Sequence, residues 1–166
     1  MPEPKPIAEK DVLLTVLRGQ REHVLGALEG LSDDDLRRPV LPTGWSCLGL
    51  VHHLAVDVER FWFRAVMAGE QVELFEEDGG WTVPEGRTAD DVLALYRDEA
   101  ERSDAVLAAH ALDEGPARWP AELFPGLPVR DLRRLALAVI TETATHAGHL
   151  DAVRELIDGR TWLVLT

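Results

Sequence analysis

Thr141-Glu142-Thr143-Ala144-Thr145-His146-Ala147-Gly148-His149-Leu150 is the stretch on which the fold turns. Spacings of four and three residues bring Glu142, His146 and His149 within a roughly 60° arc of a helix, since each residue turns it by ~100°. That arc lies inside an apolar stripe that also carries Leu135, Val139, Leu150, Val153 and Ile157. A carboxylate and two imidazoles facing a core need a partner, because an unpaired buried charge is far too costly. For Glu142 and His146 alone a buried ion pair serves as well as a metal. With one more His from another helix, a divalent cation becomes the economical partner and keeps a coordination position open.

Working outward, the same helical period recurs in three other places. A first helix is expected from about Glu9 to Glu29, with Leu13, Val16, Leu17, Val24 and Leu28 on one face and Gly30 at its end. A short turn capped by Ser32 follows. The second helix begins near Ser46, a good N-cap, and runs to about Ala68. Thr88-Ala89-Asp90-Asp91 resembles a capping box with Asp in place of Glu; it opens a third helix that reaches about Ala111. The fourth spans about Asp131 to Asp158, with Gly159 as its stop. Residues 70–87 and 112–129 are rich in Gly and Pro and read as long loops, a feature usually tied to function in compact domains. The tail from Thr161 to Thr166 is expected to pack back onto the helices. No alternating strand pairs appear. The expectation is an all-α four-helix bundle with two long inter-helix loops, as a single domain over residues 1–166.

Composition narrows the function. A net charge of −13 argues against nucleic acid and against anionic membrane surfaces as partners. The basic residues are nearly all Arg, scattered among acids. No apolar run approaches the ~18 residues of a membrane span, and the N-terminus lacks the apolar stretch of a secretory signal. The default location is the cytoplasm. The single cysteine, Cys47, excludes an internal disulfide.

Helix two offers the missing ligand in Leu50-Val51-His52-His53-Leu54-Ala55-Val56-Asp57. Adjacent His side chains diverge by ~100°, so one of the pair faces the site. The wheel alone does not choose well between them: position slightly favours His53, at the edge of the band holding Leu50, Leu54, Phe61 and Ala65, while His52 lies farther round and reads as surface or core edge. Asp57, one turn on, is placed to orient a His53 ring nitrogen. Trp45 and Trp62 read as packing. Trp81 and Trp119 sit in polar loops, where they can cover the mouth of a site or dock a loop. His23 and His110 lie off the apolar centres of their helices and read as solvated. Cys47 has no His nearby in the pattern of a catalytic thiol, so inert packing is the expectation.

These motifs resemble the DinB-like superfamily. A His in a His53-Leu54-Ala55 setting is followed, about ninety residues on, by a metal-ligand pair at i, i+4 and then a Gly. Pro42-Thr43-Gly44-Trp45-Ser46-Cys47 and His146-Ala147-Gly148-His149-Leu150 look most like the actinobacterial branch related to mycothiol-dependent enzymes, such as the N-terminal domain of maleylpyruvate isomerases. The resemblance spans nearly the whole chain. It implies a four-helix bundle with a divalent metal between helices, held by His53, Glu142 and His146. His149 falls where many members have a Gln, as a fourth contact or an outer donor.

What the resemblance implies is a mycothiol-type S-transferase or isomerase in which a metal activates a small thiol toward an electrophile. Zinc or nickel suits two imidazoles and a carboxylate, with manganese or ferrous iron also accepted. The isomerases carry a further C-terminal domain, and this sequence ends at Thr166, which weighs against the isomerase reaction itself. Arg60 and Arg64 are candidates for meeting a substrate carboxylate. Two other readings stand beside this one: a hydrolase with metal-bound water as nucleophile, and a non-catalytic, stress-associated metal-binding module with a filled site. Apolar surface on helices one and two would suit a homodimer.

Overall fold

A computed structural model describes residues 8–73, 79–126 and 130–162. Among these the chain is all-helical. The elements are α1 (Glu9–Leu28), α2 (Asp33–Arg37), α3 (Cys47–His53), a π-helical continuation of α3 over Leu54–Met67, a 3₁₀ turn at Gly79–Trp81, α4 (Ala89–Ala109) and α5 (Leu132–Asp158). The four long helices close a ring in which α1 packs on α5, α5 on the π segment, the π segment on α4, and α4 back on α1. None of the described helices is long and apolar enough to cross a membrane. Of the tail, Leu163 to Thr166 lie outside the described residues.

The boundaries follow from local chemistry. Ser46 accepts a hydrogen bond from the Gly49 N–H and starts α3. Thr88 and Asp91 form the reciprocal capping box that starts α4. Asp131 caps α5, and Gly159 ends it at φ 74°, a left-handed conformation that a residue without Cβ adopts freely. The second long loop is tied to the bundle's end, where the N–H groups of Ala117 and Arg118 reach the Met67 and Val66 carbonyls. The Leu132 and Arg133 N–H groups bond the Glu114 and Leu112 carbonyls. These bonds bring the start of α5 beside the end of the π segment, so the two run antiparallel.

The π winding is the departure from the expected regular helix two. The Ala68 N–H reaches back five residues to the Phe63 carbonyl. Buried Leu54, Val58, Phe63 and Met67 then form one row with spacings of four, five and four. On an α-helix Phe63 would stand roughly 180° from Leu54, on the opposite side; the wider turn aligns them.

The bundle interior also holds charge. Arg21 of α1 donates from Nε and Nη2 to the two carboxylate oxygens of Glu59, both at 2.7 Å, and from Nη1 to Asp104 of α4 at 2.6 Å. Glu59 is fully buried and Arg21 nearly so, so the carboxylates hold the guanidinium charged in spite of burial.

Candidate metal centre

Three structural pieces meet at one place. α3 brings His53 at its last turn, α5 brings Glu142, His146 and His149, and the Gly79–Trp81 turn lies over them. One ligand-type atom each from His53, Glu142 and His146 lies within 4.8 Å of the others. His53 Nε2 stands 4.0 Å from Glu142 Oε1, and His146 Nε2 stands 3.1 Å from the same oxygen. His53 and His146 are largely buried, whereas the Glu142 side chain is 48% exposed. The cluster therefore has a dry imidazole floor and a carboxylate at its rim.

The ring of His53 is fixed on every side but one. Its Nδ1 lies 2.8 Å from Asp57 Oδ2, which also accepts the Gly80 N–H at 2.6 Å. A carboxylate that already accepts an amide N–H accepts from the imidazole as well, so Nδ1 carries a hydrogen and Nε2 is the nitrogen left to face the cluster. That Nε2 is buried and has no hydrogen-bond partner. The Trp81 ring stacks on the imidazole at 4.2 Å between centroids, with 13° between planes. Trp81 also meets His146 edge-on at 5.4 Å.

His146 sits between two groups, with Glu142 on Nε2 and the His149 Nδ1 3.4 Å from its own Nδ1. Burial lowers its pKa, Glu142 pulls it partly back, and His53 pushes it down again. His146 is thus biased toward the neutral imidazole that a metal requires. α5 tolerates Thr141, Thr143 and Thr145 around these residues because each hydroxyl donates to the carbonyl four residues earlier.

The structure separates the adjacent histidines. His53 faces the cluster, while His52 Nδ1 donates to the Gly80 carbonyl at 2.6 Å. His52 is therefore neither free surface nor ligand, a role the helical wheel did not disclose. Trp45 packs against the core, as read, and its ring also lies 6.3 Å from His149 and 6.4 Å from Trp81, beside the same cluster. Trp119 stands elsewhere. It faces Trp62 at 6.1 Å and walls a cavity of about 680 Å³ with Phe61, Ala65, Val66 and Leu123.

Arg60 and Arg64 both bond buried Glu99, and Arg64 also bonds Glu70. Arg60 is engaged through Nε and Nη2, and Arg64 through Nε and Nη1. Cys47 is buried, and burial pushes its thiol pKa up to about 11. His23, expected to be solvated, is instead mostly buried, with Nε2 2.9 Å from the Asp151 carboxylate and Trp162 stacked on its ring. The short α1–α5 distance that permits this pair was not legible from either helix alone. His110 pairs with Glu114 near the surface.

The donor set fits a divalent cation. Two imidazoles and a carboxylate converge, a buried His53 Nε2 without a hydrogen-bond partner points among them, and three protein ligands would leave a position open. No curated protein matches the sequence. The profile of a DinB-like family, mycothiol-S-transferase, matches residues 12–159, and on that match, which takes in α3, the Gly79–Trp81 turn and α5, the chain belongs to the mycothiol S-transferase family.

Proposed function

We propose that this protein is a metal-dependent thiol S-transferase, with His53, Glu142 and His146 holding a divalent cation and a mycothiol-type small thiol as its co-substrate. The observation that carries this reading is the orphaned His53 Nε2. A buried nitrogen lone pair without a donor is costly, and a cation shared with His146 and Glu142 satisfies it. When bound, such a cation lowers the pKa of the thiol that it ligates and so supplies the nucleophile at neutral pH. Zinc or nickel suits the borderline donor set.

The chain's own residues set the stage for that chemistry. Asp57 holds His53 in the Nδ1-protonated form. His149 Nδ1, beside the His146 Nδ1, is placed to accept the proton that His146 must carry there when its Nε2 serves as ligand. Trp81 covers the two imidazoles and keeps water from them. Half-exposed Glu142 marks the side from which thiol and electrophile enter. The thiol would give its proton to solvent, and its sulfur would bond to an electrophilic carbon as that carbon's leaving group departs with its electron pair.

The test is conjugation of a fluorogenic haloalkyl electrophile by the zinc- or nickel-loaded protein, with and without mycothiol. Conjugate that forms only when protein, metal and thiol are all present is the expected result. Ester hydrolysis that needs metal but no thiol would replace this reading with metal-assisted hydrolysis.

A further inference from the structure

The Gly79–Trp81 turn is seated on α3 by contacts that no other residue at position 80 would allow. A Cβ on Gly80 would lie 2.5 Å from Val56 Cγ2, 2.7 Å from Asp57 Oδ2 and 2.8 Å from the His53 Cα. The turn also presses on Gly49, where a Cβ would collide with the Trp81 carbonyl. Two bonds then fix Gly80 in opposite directions: its N–H donates to Asp57 Oδ2, and its carbonyl accepts from His52 Nδ1 at 2.6 Å. A carbonyl can only accept, so His52 is the donor.

Asp57 Oδ1 has no partner, and Oδ2 carries both bonds. The Gly80 N–H thus bonds the same carboxylate oxygen that faces His53, while the carbonyl of the same residue is held by His52. The next residue along the turn is Trp81, whose ring lies on the His53 imidazole.

We infer that His52 is a positioning residue of the metal centre: by anchoring Gly80 it fixes Asp57 and Trp81, and through them the tautomer and tilt of His53. The inference rests on the reading of His53 as a ligand and adds a residue that touches no ligand atom. Loss of a group that orients a metal-bound His commonly costs about 10–100-fold in metal affinity, and His52 acts one link farther back, so its loss sits near the lower end, about tenfold.

The test compares His52→Leu with His52→Asn, because the Asn amide nitrogen occupies nearly the place of a His Nδ1 and can donate to the same carbonyl. Zinc affinity is measured by competition with a chelating dye. The His53 tautomer is read in the metal-free protein from long-range ¹H–¹⁵N correlations, with thermal unfolding followed alongside. Expected are about tenfold weaker zinc binding in His52→Leu, a mixed His53 tautomer in that variant, wild-type behaviour in His52→Asn, and similar melting for all three. Unchanged affinity and an unchanged tautomer in His52→Leu would overturn the inference. So would an Asn variant as impaired as the Leu variant. A wild-type protein that binds no zinc or nickel would refute the ligand reading itself, a result separate from the tautomer shift in the metal-free arm.

Discussion

His53 Nε2 and Glu142 Oε1 face each other at 4.0 Å across two antiparallel helices, too far for a hydrogen bond and close enough to share a cation. The 3.1 Å contact between Glu142 and His146 leaves His53 outside any ion pair that α5 makes by itself. Wild-type protein is therefore expected to bind one zinc or nickel ion per chain. His53→Ala and His146→Ala should each lose more affinity than the about 10–100-fold typical of an outer-sphere partner, and Asp57→Asn should fall within that range. Elemental analysis and chelator competition check the order. Full occupancy in both Ala variants would remove the site.

Arg21 and Glu59 form a buried, bidentate pair linking α1 to the π segment. Removing Glu59 leaves Arg21 with Asp104 as its remaining carboxylate, so Glu59→Leu should cost less than the about 3–5 kcal/mol of a wholly uncompensated charge, read in urea unfolding. Arg21→Met with Glu59→Leu should recover a large part of that loss, because no uncompensated charge remains between these two positions. A double variant as unstable as the single one would show that Asp104 carries the arginine's contribution.

His146 predicts an acid sensitivity of the metal-free protein. Burial, the leading cause, holds its folded pKa below the usual value of 6.5. Above pH about 6.5 both folded and unfolded chains carry it neutral, and its contribution is complete. As pH falls below that point the unfolded chain takes up a proton that the folded one resists, so stability declines until the folded pKa is passed. The urea midpoint should drop less between about pH 7.5 and about pH 5.5 in His146→Gln than in wild type.

Cys47 should be dispensable. Its thiol is buried and its pKa is pushed up to about 11, so little thiolate exists at neutral pH. Native protein should resist iodoacetamide and react once unfolded, and Cys47→Ala should retain metal binding and thiol transfer. Abolished conjugation in a folded, metal-loaded Cys47→Ala protein would place the sulfur in the chemistry.

Gly19, in the middle of α1, has nothing within 4 Å of an added Cβ. Gly19→Ala should stabilise the fold by about 0.5–1 kcal/mol through helix propensity alone, read as a higher unfolding midpoint.

The helices were legible because each boundary carries its own chemistry: Ser46, Thr88 with Asp91, and Asp131 act where their side chains indicated. The meeting of Glu142 with His146 follows from a four-residue spacing on a helix that is regular throughout. The angle alone did not choose between His52 and His53, and it is His53 that lies with Glu142 and His146; the regular helix extends to His53 and changes only at Leu54. Beyond that point a 3.6-residue wheel misplaces side chains, and the sign of it was Phe63, an apolar residue on the face it assigns to solvent. The roles of His52, Trp45 and Trp81 depend on how a loop lies against α3. No periodicity within one segment encodes that; the local signs were Trp81, an aromatic in a polar loop, and the pair of glycines at 79 and 80 just before it.

The wide winding of the helix has a consequence for anyone transplanting this centre. Glu59 and Phe63 each serve a different neighbour, and their bearings around the axis agree only while the backbone bonds five residues back. Copying the three ligand side chains onto an idealised bundle would keep Asp57 within reach of His53, four residues on, but would swing Glu59 away from Arg21. A faithful graft must therefore import the unusual pitch together with the residues.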